Sequence, residues 1–149
     1  MTSSLYDTDF CLWTRRMAEI IRAGQWDELD RENVAAELES TGHRYERQAR
    51  RLVARITAEL LRWYIQPELR CGKWSCNIDD LRYRLEDVLE DSLTLRSQMP
   101  ETIAKAYPKA IQRVLSKVRV VENAFPMQCP FTAEQILDPD FWPENSLDG

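Results

Sequence analysis

The segment HRYERQARRLVARITAELLRWYIQ, residues 43–66, carries two side-chain patterns that repeat every three or four positions. At about 100° per residue, one sector of a helix receives the apolar side chains of Tyr45, Ala49, Leu52, Val53, Ile56, Leu60 and Trp63. A roughly opposite sector receives what we call the arginine stripe, which consists of Arg44, Arg47, Arg51, Arg55 and Arg62. The segment is therefore predicted to be a strongly amphipathic helix. Pro67 is expected to end it, because proline disfavours helical geometry at the residue before it.

Two further helical patterns precede this segment. Asp7 is expected to cap a first helix, which should end at Gly24 because glycine readily adopts the left-handed conformation of a helix C-terminus. Asp30 is expected to cap a second helix. Thr41 and Gly42 are expected to interrupt or kink that helix before the amphipathic segment begins.

Helical patterns also fill the remainder of the chain. Ser75 or Asn77 is expected to cap the next helix, and a break is expected near Tyr107 because a proline follows it. Thr132 and Gln135 have the spacing of a capping box for a short C-terminal helix. No strand-period run is longer than a few residues. We therefore predict an all-α fold, a single-domain bundle of five or six helices over residues 1–149 with flexible ends at 1–4 and 145–149.

Several function classes are disfavoured by what the sequence lacks. It has no secretion signal and no apolar run of the roughly 20 residues that span a bilayer, so we expect a cytoplasmic protein without a membrane partner. Its four cysteines should then stay reduced. The four glycines form no phosphate-binding loop, and the single histidine has no nucleophile motif around it. We expect a non-catalytic protein without a cofactor.

The stretch RWYIQPELRCGKWSC, residues 62–76, is the most chemically diverse part of the chain. It can be the corner between two helices, with buried tryptophans and with Arg70 and Lys73 bonding the last free carbonyls of the preceding helix. It can instead be a metal or redox site on Cys71 and Cys76. The second interpretation is weaker, because the other two cysteines are isolated and supply no second pair of ligands.

Four blocks of the sequence occur in an order that resembles the domain of unknown function 29 family, known mainly from cyanobacterial genomes. They are YDTDFCLWT, LDRENVAAELE, LLRWYIQPELRCGKWSCNI and CPFTAEQILDPDFWPE, and the resemblance spans about residues 5–144. It implies an all-helical fold and no known activity. Some of the matching positions form a candidate polar cluster, namely Asp30, Asn33, Glu37, Gln66, Arg70 and Trp74. Whether this cluster binds a ligand or locks helix ends together is left open.

The distribution of charge suggests a surface for binding. Residues 44–73 contain eight basic and three acidic side chains, a net charge of +5, whereas the whole chain has a net charge of -5. We expect a protein-interaction or regulatory module that binds a protein partner or self-associates. Alternatively, the arginine stripe follows a phosphate backbone in an antitoxin-like regulator that binds nucleic acid. The stripe can also be solvated, or paired with the acidic segments 26–40 and 79–91.

A third hypothesis is a metal-dependent enzyme centred on Glu37, Glu39 and His43. Glu39 and His43 lie four positions apart, so a helix would place them on one face, and carboxylate and imidazole groups are common metal ligands. Further ligands would have to come from elsewhere in the chain. Acidic residues on a helix face are more often simply solvated or paired.

Overall fold

The structure is a computed structural model, and it describes residues 4–120 and 124–143. These ranges contain seven α-helices, of which four are long, and no strand. The helices are Leu5–Thr8 (α1), Phe10–Ala23 (α2), Arg31–Ile65 (α3), Gly72–Glu90 (α4), Leu93–Ser97 (α5), Met99–Leu115 (α6) and Ala133–Leu137 (α7). The prediction of an all-α fold with a short C-terminal helix is confirmed. Apart from Ser4, the predicted flexible ends lie outside the described residues.

The chain divides into two compact units, Met1–Arg44 and Tyr45–Gly149. The prediction of one domain over the whole chain stays a prediction. In the first unit, a small core consists of Trp13, Met17 and Ile20 from α2, with partly buried residues packed around it. Gly24 ends α2 with a φ of 70°, as predicted.

The cap of α2 lies two residues after the predicted one. The Asp9 carboxylate accepts a hydrogen bond from the Leu12 backbone N–H at 3.0 Å, whereas Asp7 lies within α1. The extra turn of helix is the reason, because it moves the start of α2 towards the C-terminus. The prediction that Asp7 caps the first long helix was therefore wrong.

Helix α3 runs without a break through Thr41 and Gly42, so the predicted interruption was wrong. The Thr41 hydroxyl donates to the Glu37 carbonyl at 2.9 Å and is satisfied inside the helix. A glycine in a helix interior costs only about 1 kcal/mol relative to alanine, which strong helical sequence on both sides outweighs. As predicted, the helix ends just before Pro67, which opens a 3₁₀ turn over Pro67–Leu69.

The second unit has the larger core. Its buried apolar residues come mainly from α3, α4 and α6, and Phe131 and Ile136 add the C-terminal region. Helix α6 continues through Pro108, so the break predicted near Tyr107 was wrong. Pro108 is exposed, whereas Tyr107 and Ala110 beside it are buried. Packing of that buried face outweighs the roughly 3 kcal/mol cost of a proline inside a helix.

Two other predicted caps had different outcomes. Helix α4 begins after Cys71, earlier than the predicted caps Ser75 and Asn77, and the Ser75 hydroxyl bonds the Gly72 carbonyl instead. The capping box of α7 is confirmed, since Thr132 and Gln135 each accept a hydrogen bond from the other's backbone N–H. Local spacing identified the second cap because both partners lie within one turn.

A buried arginine attaches the C-terminal segment to α4. The Arg82 guanidinium donates to the backbone carbonyls of Ile136 at 3.0 Å, Gln135 at 3.3 Å and Phe141 at 2.9 Å. It also lies 5.1 Å from the centroid of the Trp142 ring, a cation–π distance. Burial lowers the pKa of Arg82 from its ordinary value. One side chain thus provides hydrogen-bond donors for three backbone carbonyls of the C-terminal segment.

Candidate functional site

The second unit contains an open groove of about 620 Å³ that we call the basic groove. Helix α3 and the turn after it contribute Arg55, Glu59, Arg62, Leu69 and Cys71. Helix α4 contributes Lys73, Trp74, Asn77, Asp80, Leu81 and Arg84, and Lys117 follows α6. On each long helix the lining residues recur every three or four positions. Each helix therefore presents one continuous row of side chains to the groove.

The Glu59 carboxylate is the centre of the polar contacts in the groove. It accepts hydrogen bonds from the Trp74 indole N–H at 2.6 Å and from the Arg62 guanidinium at 3.2 Å. The Lys117 ammonium lies 3.8 Å from its other oxygen. Only 16% of the Glu59 side chain is exposed, so these contacts are partly shielded from water. Glu59, one of the two acids of the groove, is therefore engaged by its neighbours, whereas the other acid, Asp80, is exposed.

The lining has an excess of positive charge. Five lining residues are basic and two are acidic. Since Glu59 is held by Arg62 and Lys117, three positive charges remain, Arg55, Lys73 and Arg84, together with one negative charge, Asp80. Among residues 4–120 and 124–143, none forms an ion pair with these three side chains. Within the described residues, the groove therefore keeps an excess of positive charge, with three cations that have no ion-pair partner and one free carboxylate.

Trp74 lines the groove, but its indole N–H and its ring already contact other residues of the protein. Its N–H is donated to Glu59, the Arg62 guanidinium lies 5.0 Å from its ring centroid, and the Trp63 ring packs at 5.1 Å. Arg70 donates to the Trp63 carbonyl at 2.8 Å, which confirms the prediction that it bonds the end of the preceding helix. The corner interpretation of residues 62–76 therefore holds for Arg70 and Trp74, although both tryptophans are only partly buried and the Trp63 indole N–H has no hydrogen-bond partner among the described residues.

The same stretch also provides part of the groove. Leu69, Cys71 and Lys73 line it and are exposed. Residues 62–76 thus have two roles, since some of their side chains close the corner and others line the groove.

The three candidate cluster residues of the first unit form their own network. Asp30 accepts hydrogen bonds from the Trp13 indole N–H at 3.3 Å and from the Asn33 amide at 2.8 Å. The Tyr6 hydroxyl donates to Glu37 at 2.5 Å, and this hydrogen bond raises the pKa of Tyr6. These contacts join α1 and α2 to the start of α3, and each polar group has a partner.

The other three cluster residues lie in the second unit. Arg70 and Trp74 have the contacts described above, and the Gln66 side-chain oxygen is buried without a hydrogen-bond partner among the described residues. The structure thus gives the predicted cluster two sets of contacts, one in each unit. In both sets the key partners, Tyr6, Trp13 and Glu59, lie outside the predicted cluster.

The arginine stripe is mostly exposed. Arg44, Arg47, Arg51 and Arg55 are exposed, and Arg62 is half-buried. Arg62 pairs with Glu59 of its own helix, rather than with an acidic segment elsewhere in the chain. Within the described part of the second unit, Arg47, Arg51 and Arg55 have no carboxylate partner. The stripe was expected to be either solvated or paired with acidic segments of the chain. These three side chains are solvated.

The metal hypotheses find no ligand set in the described chain. No group of three or more histidine, cysteine, aspartate or glutamate side chains that could hold a metal ion occurs in residues 4–120 and 124–143. Glu37, Glu39 and His43 lie in these ranges, so the centre predicted on them was wrong. The geometric reason is that one helix face supplies too few ligands and no other described element completes the set.

The four cysteines are free thiols, of which Cys11, Cys71 and Cys76 are exposed. Cys129 is partly buried, and its burial raises the pKa of the thiol. Cys71 is the one that lines the basic groove. No described helix combines the length and apolar character needed to cross a membrane.

The fold and the groove define an all-α protein with a basic groove in its second unit. The chain matches the family model described as Domain of unknown function DUF29 over residues 5–142, nearly its whole length. It belongs to this family, as the four sequence blocks indicated. Comparison with curated proteins and comparison with solved structures gave no match.

Sequence reasoning found some of the groove and missed the rest. Arg55, Arg62 and Trp74 were among the candidate residues, but Glu59, Arg84 and Lys117 were not. Glu59 left a usable signal, because it lies four positions after Arg55 and three before Arg62 on the same helix face. The sequence contains no comparable signal for Lys117, because only the tertiary fold brings it close to Glu59.

Proposed function

We propose that this protein is a non-catalytic interaction module of the cytoplasm that binds a protein partner through the basic groove. The observation that carries the proposal is the excess positive charge of Arg55, Lys73 and Arg84, which have no ion-pair partner in the described part of the chain, around a groove of about 620 Å³. Exposed cations that the fold does not neutralise are available to complement an acidic surface, which speeds association and selects partners.

The chemistry of the groove supports binding rather than catalysis. The chain's single histidine, His43, is not among the lining residues. The Glu59 carboxylate accepts two hydrogen bonds and has the Lys117 ammonium beside it, so it is poorly placed to accept a proton from a substrate. The lining offers charge and shape but lacks an activated nucleophile paired with a base.

The experiment is a pull-down from a nuclease-treated lysate of the source cells, with the tagged full chain as bait. We expect the wild type to retain a protein that the double charge reversal Lys73→Glu with Arg84→Glu fails to retain. The matched control reverses Lys109 and Arg113, which are exposed on α6 and do not line the groove. Circular dichroism verifies that all variants stay helical.

Capture that is equal for the groove variant and the wild type would refute the proposal. Co-purification of an untagged copy of the chain, dependent on the same two side chains, would identify self-association as the interaction. In that case the partner is a second copy, which the sequence also allowed.

A second candidate function is nucleic-acid binding by the arginine stripe. The observation that favours it is the exposed row of Arg47, Arg51 and Arg55, which repeats every four residues along α3 without a carboxylate partner in the described second unit. Such a row can follow phosphates, with an affinity that falls steeply with salt. Recovery of nucleic acid from untreated lysate, lost at high salt and on changing these arginines to glutamine, would favour this candidate over the first.

A further inference from the structure

The shape and charge of the basic groove carry an inference that deepens the proposed function and rests on it. We infer that the groove receives an acidic amphipathic helix of the partner protein, with carboxylates along one side and an aliphatic side chain beside them. Three features of the groove, namely its length, its apolar residues and the state of its tryptophan, lead to this occupant.

The length of the groove fits a short helix. From Arg55 to Arg62 the rise along α3 is roughly 10 Å, and from Trp74 to Arg84 along α4 it is roughly 15 Å, at 1.5 Å per residue. A short connection joins the two helices, so they run antiparallel. Arg62 meets Trp74 near that connection, and Arg55 and Arg84 lie towards the other end. The groove therefore holds cations at both ends, over two to three turns of a bound helix.

The groove also has an apolar component. Leu69 is 52% exposed at the turn, and Leu81 is buried to 5% exposure in the α4 row. An aliphatic side chain of the partner that covers Leu69 would remove apolar surface from water, which favours association. A ligand that carries charge alone would leave that surface uncovered. The occupant should therefore combine acidic and aliphatic residues, as an amphipathic helix does.

The state of Trp74 argues against a single-stranded nucleic acid in this groove. Proteins bind single strands by stacking bases on exposed aromatic rings. Here Trp74 is covered by the Arg62 guanidinium and by the Trp63 ring, and its N–H is bonded to Glu59. The groove keeps cations available, while its tryptophan is already in contact with Arg62, Trp63 and Glu59. That combination suits carboxylates of a peptide better than bases.

Fluorescence anisotropy with synthetic probes tests the inference on the full chain. The probe is a labelled helical peptide of about four turns, with glutamates at i, i+4, i+7 and i+11 and leucines flanking them. One control peptide has the same composition in scrambled order, and another is a single-stranded DNA of equal charge. We expect the ordered peptide to bind at least about tenfold more tightly than either control, because only it aligns both kinds of contact.

Two variants assign the binding to the groove. The double reversal of Lys73 and Arg84 to glutamate should lower the affinity for the ordered peptide by about tenfold or more, since it removes two attractive charge pairs and adds repulsion. Leu69→Ser should lower the affinity for the ordered peptide by about threefold and leave the affinity for a leucine-free acidic peptide unchanged. Leu69 is at the surface, so the fold should tolerate this change.

Each remaining outcome overturns the inference. Equal binding of ordered and scrambled peptides, tighter binding of DNA, or no binding of the ordered peptide would do so. If lysate capture still depends on Lys73 and Arg84 in that case, only the nature of the occupant is wrong and the proposed function stands. If capture is also independent of these residues, the proposed function fails with it.

Discussion

Replacing Arg82 by methionine should be among the most damaging single changes in the second unit. Arg82 is 3% exposed and donates to three backbone carbonyls at 2.9–3.3 Å. Methionine has a similar volume but no donor, so it leaves three carbonyls of the C-terminal segment without their partner. The change therefore separates the loss of hydrogen bonding from the loss of volume.

The magnitude follows from two opposing contributions. Hydrogen bonds from a charged donor contribute about 1.5–3 kcal/mol each, so three of them amount to roughly 4.5–9 kcal/mol. Burying the guanidinium costs several kcal/mol in lost hydration, and methionine avoids that cost. The expected net loss is about 3–5 kcal/mol, a third or more of the roughly 5–15 kcal/mol stability of a typical domain. Lysine should lose an intermediate amount, because it keeps the charge but not the planar fork of donors.

Urea unfolding followed by tryptophan fluorescence and far-ultraviolet circular dichroism measures this loss. Trp142 packs 4.6 Å from Trp63 and lies over Arg82, so release of the C-terminal segment should change the fluorescence. The matched control is Arg84→Met, two residues further along α4 and exposed, which should change stability by no more than about 0.5 kcal/mol. A loss for Arg82→Met below about 1 kcal/mol, equal to that of the control, would refute the reasoning.

Two other predictions concern local groups. Burial raises the pKa of Tyr107 from 10.0 to about 12. The neutral phenol is therefore favoured in the folded state, and its contribution to stability, complete below pH 10, should be lost as the pH rises from 10 towards 12. Tyr107→Phe should show a shallower fall of Tm across that range, whereas Tyr83→Phe, at an exposed position, should follow the wild type; equal slopes for all three would contradict this. Thr132→Ala removes the cap of α7 and should cost about 1 kcal/mol in urea unfolding, against a negligible change for the exposed Glu134→Ala.

The sequence predicts helices best where the apolar period is long and local signals agree. The apolar sector of residues 45–63 is the clearest case, and the predicted end at Pro67 is confirmed because proline acts through its own geometry. The errors at Gly42 and Pro108 both come from a local penalty that something else offsets. At Gly42 the penalty is about 1 kcal/mol, and strong helical sequence on both sides outweighs it. At Pro108 it is about 3 kcal/mol, and packing of the buried face of α6 against elements distant in sequence outweighs it. A local pattern shows such a penalty but does not show the distant packing.

The site was less predictable than the fold for the same reason. Trp74 carried a signal of its own, since a tryptophan at the edge of a core needs a partner for its N–H, but the identity of that partner did not follow from the sequence. Glu59 lies 15 residues away and belongs to the helix face that was assigned to arginines. Arg82 was missed entirely, because its acceptors are backbone carbonyls more than 50 residues away. Every residue has a backbone carbonyl, so the residue types give no indication of which ones accept a hydrogen bond.

The basic residues around residues 62–76 divide into those that the fold uses and those that it does not. Arg62 is needed internally, since it pairs with Glu59 and covers Trp74, and Arg70 bonds the end of α3. Arg55, Lys73 and Arg84 contribute no contact of this kind, and cations that share a groove repel one another. Internal contacts explain the presence of Arg62 and Arg70, but they do not explain the additional positive charge of the groove. A partner with the opposite charge accounts for that surplus, because its carboxylates would turn the mutual repulsion of the three side chains into attraction on binding.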